Sequence, residues 1–228
     1  MRTSVLDWLG WEFVGVSVEA TGAGGARDQA LEAFDQCRRR LKDFGLGLED
    51  TVRSRLFAVD RASRDAASDV RAETLSGPAR AASSSYIAPD HFYTQAKVGY
   101  ELLVAKPRPG FKKVIRENEP PRTPCRYLTM GPLLVLSGQT AVLPDLEIQV
   151  TTNILPRITE YLAEAKSSWE RVANVSCYLH RSQDPEHLRA LFRRMVPIWP
   201  PRFEIVLVDG YSAEGKLVEI EVTAERNA

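Results

Sequence analysis

Shifted by 120 residues, the sequence meets its own pattern of elements again, and a period that long within 228 residues restricts the fold to two copies of one unit. In the first copy the β-rich run from Glu12 to Ser17 leads through the glycine-rich turn at 21–25 into a helix. In the second, the run from Leu133 to Gln139 leads through Pro144-Asp145 into another, which puts Ser137 opposite Ser17. The first helix carries Ala30, Phe34, Cys37, Leu41 and Phe44 as one apolar stripe, and the second carries Val150, Ile154, Ile158, Tyr161 and Ala165. Pro156 interrupts the second stripe. A helix start near Thr152, or a bend, accommodates it, because the first turn has N–H groups without acceptors.

Each helix is followed by a strand, Thr51 to Val59 and Arg171 to Leu179, with Val52 opposite Val172. A second helix comes next. In the second copy Asp184-Pro185 supplies an N-cap carboxylate and a proline at the first helical position, and Leu188, Leu191, Phe192 and Met195 form the expected buried face. Two strands close each copy, Ala82 to Ile87 and Val98 to Val104, then Phe203 to Val208 and Leu217 to Val222. The fold class is therefore α+β: two tandem domains, 1–106 and 125–228, each a mostly antiparallel sheet covered on one face by two helices. The proline-rich stretch 107–124 reads as the linker.

Thirty basic and thirty acidic side chains cancel, so no net field draws a polyanion, and Arg38-Arg39-Arg40 reads as a solvated helix face. No nucleic-acid partner is expected. The N-terminal residues lack a signal-peptide pattern and no run reaches membrane-spanning length, so no membrane partner and a cytoplasmic location are expected. Cys37, Cys125 and Cys177 form no C-x-x-C spacing, and His91, His180 and His187 no metal-binding spacing. No metal and no cofactor are expected.

Three short motifs then carry a resemblance. L-S-G-Q at 136–139, P-R at 201–202 and V-E-I-E at 218–221 occur in the order found in the Rid (YjgF) family, and the second copy resembles a Rid domain from Leu133 to Thr223. The first copy resembles it more weakly, through element order and G-P-A-R at 77–80. The resemblance implies a chorismate-mutase-like domain fold, threefold rings with pockets in the clefts between neighbours, and hydrolysis of an enamine or imine to a carbonyl compound and ammonia. A homotrimer acting on a small molecule is the implied assembly.

The resemblance also implies site residues. Arg202 stands where the family holds the substrate carboxylate, and a guanidinium suits that task because it stays charged and offers two parallel donors. Glu219 matches the carboxylate that activates or orients water, with Glu221 on the same side of the strand. Ser137 and Gly138 match the substrate-binding serine and glycine. The bland alternatives are an arginine at a strand start and a carboxylate in a salt bridge.

Departures from the family pattern matter as well. Cys125 replaces the family's tyrosine, with Tyr127 two residues away, and both are candidate substrate contacts. Glu204, a further candidate substrate contact, stands where deaminating members often carry cysteine, and a carboxylate beside Arg202 could neutralise it and repel an anion, which points to a substrate other than a simple 2-imino acid. In the first copy Arg80 aligns with Arg202, Gln95 and Lys97 replace the carboxylate, and Glu101 is expected on the opposite strand face, so this copy reads as a degenerate scaffold. Two other readings stay open. One is an enzyme of specialised metabolism on the same scaffold, since chorismatases, which hydrolyse an enol ether, also carry tandem Rid-like folds. The other is a non-catalytic small-molecule-binding protein.

Overall fold

The computed structural model describes residues 1–227, which form two compact units divided between Phe111 and Lys112. The first contains β1 (Arg2–Trp8), β2 (Trp11–Glu19), α1 (Ala26–Lys42), β3 (Thr51–Ala58), α2 (Arg61–Thr74), β4 (Ala82–Ile87) and β5 (Val98–Ala105). Its sheet runs in the order β1-β2-β5-β3-β4. Only β3 and β4 are parallel, and α2 connects them.

Strand β1 has no sequence signal. It pairs with β2 from Arg2↔Ser17 to Trp8↔Trp11, and Leu9-Gly10 closes the hairpin with φ values of 53° and 64°. Two positive φ angles make the turn follow the strand twist, but leucine in the first position is not a residue that announces it.

The second unit contains β6 (Lys113–Arg116), β7 (Tyr127–Met130), β8 (Leu133–Leu136), β9 (Gln139–Thr140), α3 (Leu146–Ile148), a π-helical turn (Gln149–Ile154) and α4 (Leu155–Glu164). It continues with β10 (Val172–His180), α5 (Pro185–Met195), β11 (Phe203–Val208) and β12 (Val218–Glu225). The sheet order is β11-β10-β12-β8-β7-β6, with β9 also on β12. Strand β6 lies inside the stretch read as linker. Its Lys-Val-Ile-Arg pattern alternates, and it pairs with β7 from Lys113↔Met130 to Arg116↔Tyr127.

In both units the helices cover one sheet face. Val14, Val16, Leu56, Tyr100 and Leu102 pack with Ala30, Phe34, Cys37 and Leu41 in the first. Leu134, Cys177, Ile220 and Val222 pack with Ile154, Ile158, Leu188 and Phe192 in the second. Met195 does not join that core. It ends α5 and is 38% exposed, and Val196, turned into extended backbone (φ −97°, ψ 138°), takes the inward place. Among the described residues no helix is long and apolar enough to cross a membrane.

The repeat is carried into the strand register, with one residue of drift. Thr51↔Val104 followed by Arg53↔Leu103 is a bulge, and Val172↔Ala224 followed by Asn174↔Thr223 is the same bulge. Strands β5 and β12 therefore match at 120, whereas β3 and β10 match at 121, so Thr51 and not Val52 is the counterpart of Val172. The surplus residue enters in the helix. Gln29 and Gln149 still correspond at 120, but Leu46 N–H bonds to Leu41 O and Ser167 N–H to Leu162 O, an offset of 121.

The π-helical turn absorbs it: Leu155 N–H donates to Val150 O, five residues back. The helical path starts at Leu146, capped by Asp145, whose carboxylate accepts from Ile148 N–H at 2.8 Å, and not near Thr152. Pro156 follows the widened turn at the start of α4, where its missing N–H costs least.

A buried glutamine ties each unit together at matching positions. Gln29 Nε2 donates to Gly22 O at 3.2 Å and its Oε1 accepts from Lys97 N–H at 2.8 Å. Gln149 Nε2 donates to Leu143 O at 2.8 Å and Gly215 O at 2.7 Å, and its Oε1 accepts from Leu217 N–H at 2.9 Å. Each side chain satisfies loop backbone that the sheet leaves without a ladder partner.

Candidate functional site

Glu219 lies on β12 between the core residues Val218 and Ile220, so strand alternation turns it to the face away from the helices. It stands opposite Thr140, and Ile220 opposite Gln139. Further along, Thr223 stands opposite Val135. Three steps on β12 thus face four on the partner, and the surplus residue falls at Ser137-Gly138. A bulge there breaks β8 from β9, a common device beside reactive groups.

The carboxylate of Glu219 fills the space this bulge opens. A Cβ on Gly138 would stand 2.0 Å from Glu219 Oε1 and 2.7 Å from its Cδ, so a glycine is needed for the carboxylate to lie where it does. Glu219 is only 5% exposed and Ser137 1%. The hydroxyl of Ser137 lies 3.6 Å from Cys125 Sγ. The chain neighbours Ser137 and Gly138 thus join two contacts, Ser137 with Cys125 and Gly138 with the buried Glu219 carboxylate. Such a group can hold and pass a proton. From below, Arg157 Nη1 of α4 donates to Thr140 O at 3.3 Å and anchors β9.

Tyr127 is not part of this cluster. It faces the helix layer, with its ring 6.1 Å from that of Tyr161, and burial followed by the nearby Glu164 carboxylate raises its pKa. Its structural role is to seat β7 on α4.

Arg202 and Glu204 sit at the edge strand β11. Phe203 between them packs toward the core, so both side chains turn to the same face as Glu219. They do not meet Glu219 within the unit: it is level with Val206 through Tyr178, four residues along and two strands across from Arg202. At ordinary strand spacings that is roughly 16 Å between Cα atoms.

Glu204 does not neutralise Arg202 either. Its Oε1 accepts a hydrogen bond from Ser176 Oγ at 2.5 Å, and Ser176 Oγ accepts from Asn174 Nδ2 at 2.9 Å. Arg202 is exposed and forms no ion pair among the described residues. Magnitudes explain the choice, since a hydrogen bond from a buried hydroxyl to a charged acceptor is worth about 1.5–3 kcal/mol and an exposed ion pair about 0–1 kcal/mol. Ser176 and Asn174 carry no motif; only the pairing of β10 with β11 brings them to Glu204.

The first unit lacks the matching carboxylate. The counterpart of Glu219 is Gly99, and a Cβ there would come 2.9 Å from Val18 O and 3.3 Å from the Phe92 ring. The turn Pro89–His91 instead lays rings over this end of the sheet. His91 stacks on Phe57 at 3.7 Å, and its Nε2 is 3.8 Å from Glu101 Oε1, while Arg55 reaches Glu101 Oε2 at 3.3 Å. Glu101 is the counterpart of Glu221. It therefore shares the face of Arg55 and Ser17, not the opposite one as the sequence alignment implied, because Gln95 and Lys97 precede the strand.

Register also reassigns Arg80. Val175↔Phe203 places Arg202 level with Asn174, whose counterpart Arg53 pairs with Ala82, so Ala82 takes the place of Arg202 and Arg80 lies two residues earlier. Burial lowers the pKa of His91 against the opposing pull of Glu101 and Glu19. For Glu19, burial pushes upward, but hydrogen bonds from the Thr94 hydroxyl and the Tyr93 and Thr94 N–H groups outweigh it and hold the carboxyl below its ordinary value. Among the described residues no cluster of three or more His, Cys, Asp or Glu is arranged to hold a metal ion.

No protein-family model and no curated protein matches the sequence. Solved structures do. A chorismatase structure matches with a TM-score of 0.64 at 15% identity, over 98% of this chain and 79% of that one. A YjgF-family protein from Mycobacterium tuberculosis matches 50% of this chain and 99% of its own at 25% identity (TM-score 0.42). A YjgF-family protein from Neisseria meningitidis covers 51% of this chain and 97% of its own at 21% identity (TM-score 0.45). The likeness to chorismatase along nearly the whole of this chain is one of fold. In its fold the chain is a pair of tandem α+β units similar to chorismatase.

Proposed function

We propose that the second unit hydrolyses an imine or enamine that carries a carboxylate, releasing a carbonyl compound and ammonia. The observation that carries this reading is the buried Glu219 carboxylate, closed over Gly138 beside Ser137 and Cys125. An enamine first takes a proton on carbon to become the imine; Glu219 then takes a proton from water as the oxygen bonds to the C=N carbon and passes it to nitrogen, and next carries the hydroxyl proton of this carbinolamine to nitrogen, so that the C–N bond breaks as C=O forms and ammonia leaves. Ser137 and Gly138 line the substrate, Cys125 shapes the wall, and Arg202 holds the carboxylate bidentately. No cofactor enters this scheme.

The carboxylate and the imine carbon of a 2-imino acid are bonded neighbours, so a roughly 16 Å separation at ordinary strand spacings prevents one Arg202 and Glu219 pair from serving it within the unit. The reading therefore includes a homo-oligomer, a trimer by the family's habit, in which Arg202 of one copy reaches the Glu219 site of another. A second reading has its own observation: the likeness to chorismatase along 98% of this chain favours an enol ether, hydrolysed by the same carboxylate after protonation of its double bond.

Ammonia release from a 2-imino acid generated in situ by an amino-acid oxidase, alongside turnover of chorismate, separates the two readings. Arg202→Ala and Glu219→Gln should each be inactive alone. Mixed after dissociation and reassembly, they should regain part of the activity. Turnover of chorismate alone would replace the first reading with the second, and no turnover of either would leave a binding protein.

A further inference from the structure

Arg202, just before the edge strand β11, and Glu204, the second residue of that strand, lie two residues apart and within easy reach of each other, yet Glu204 reaches across to β10. Its partner Ser176 is fully buried, and the Ser176 hydroxyl is itself oriented by Asn174 Nδ2 at 2.9 Å. The Ser176 hydroxyl thus accepts from the Asn174 amide and donates to Glu204. Asn174 stands at the bulge between β10 and β12, which aims its side chain along the strand toward Ser176.

We propose that Ser176 and Asn174 act as a clip that holds the Glu204 carboxylate off Arg202 and so keeps the guanidinium available for an anionic ligand of the carboxylate class. The inference rests on Arg202 being the anion anchor and adds the residues that set its charge state. Ser176 is a positioning residue that works through Glu204. The first unit has no such device: Ser84 stands at the place of Glu204 and Ala82 at that of Arg202.

The test uses the intact chain with pyruvate as probe, titrated by calorimetry at fixed salt, together with crystal structures of the variants. Ser176→Ala should bind pyruvate about fivefold more weakly, the scale of one exposed ion pair formed in competition. Ser176→Ala combined with Glu204→Gln should regain the wild-type affinity, which a general loss of structure would not allow. In the Ser176→Ala structure the Glu204 carboxylate should come within about 4 Å of Arg202. Glu204 staying off Arg202 in that structure would overturn the clip, as would unchanged pyruvate affinity where Arg202→Ala does weaken binding. If Arg202→Ala leaves pyruvate binding intact, the anchor assignment fails on its own account, and the Glu204 position in the Ser176→Ala structure still decides the clip.

Discussion

At the residue scale, a glycine in each unit explains why the copies differ chemically. Gly138 leaves room for the Glu219 carboxylate, whereas Gly99 removes the carboxylate and leaves room for backbone and the Phe92 ring. Gly138→Ala must push Glu219 out of place, and turnover should fall by about 10²-fold with the fold retained, as expected for a displaced proton-transfer group. A rate within threefold of wild type would remove Gly138 from the account. His91 gives a second prediction, with its sign fixed by its environment. Its folded pKa lies below the ordinary 6.5, so the unfolded chain binds the proton more readily. The His91 contribution is complete above about pH 6.5 and is lost as pH falls through that value toward the folded pKa, against the surrounding Glu101, Glu19, Arg55 and Arg2. Urea unfolding at pH 7.5 and 5.5 should show a smaller acid loss in His91→Phe than in wild type. Glu19 adds a further loss only below about 4.5. Glu219, Ser137 and Arg202 were legible in short motifs. His91, Ser176 and Asn174 were not, because each matters through a neighbour on another strand or turn that no local spacing reveals.

At the scale of elements, the repeat was legible in period but not in phase. The apolar stripes already held the discrepancy: Phe34 to Cys37 spans three residues, whereas Ile154 to Ile158 spans four. The sequence does not say whether such a surplus shortens, kinks or widens a helix; here the π-helical turn takes it up. The helix ends match again, with Gly45 at φ 68° and Lys166 at φ 59° in equivalent caps. A left-handed lysine carries a Cβ penalty that glycine lacks, so Lys166→Gly should stabilise the second unit by about 1 kcal/mol in thermal or urea unfolding. Destabilisation would contradict the cap assignment. Gln149→Ala should cost about 3 kcal/mol, because it leaves the Leu217 N–H and the Leu143 and Gly215 carbonyls without their partner. The glutamine pair escaped sequence reading because each bonds loop backbone far away in the chain. Strand β6 and the Leu9-Gly10 hairpin escaped it because four alternating residues and an atypical turn resemble linker.

The molecule as a whole is a duplicated fold whose copies carry different side chains at matching places. The second unit keeps the carboxylate, the bulge that receives it and the arginine at the sheet edge; the first keeps the scaffold, with Gly99 and Ala82 at the corresponding places. Arg80, though it sits in a family-like G-P-A-R, is out of register with Arg202, so its loss should not reach the chemistry. The most direct measurement is the initial rate of ammonia release from a 2-imino acid by Glu219→Gln, Arg202→Ala and Arg80→Ala, each shown to be folded and assembled as wild type is. The first two should lose about 10²-fold or more, the scale of a proton-transfer group or a bidentate charged contact, and Arg80→Ala should stay within about threefold of wild type. Equal losses in Arg80→Ala and Arg202→Ala, or an undiminished rate in Glu219→Gln, would contradict this site assignment.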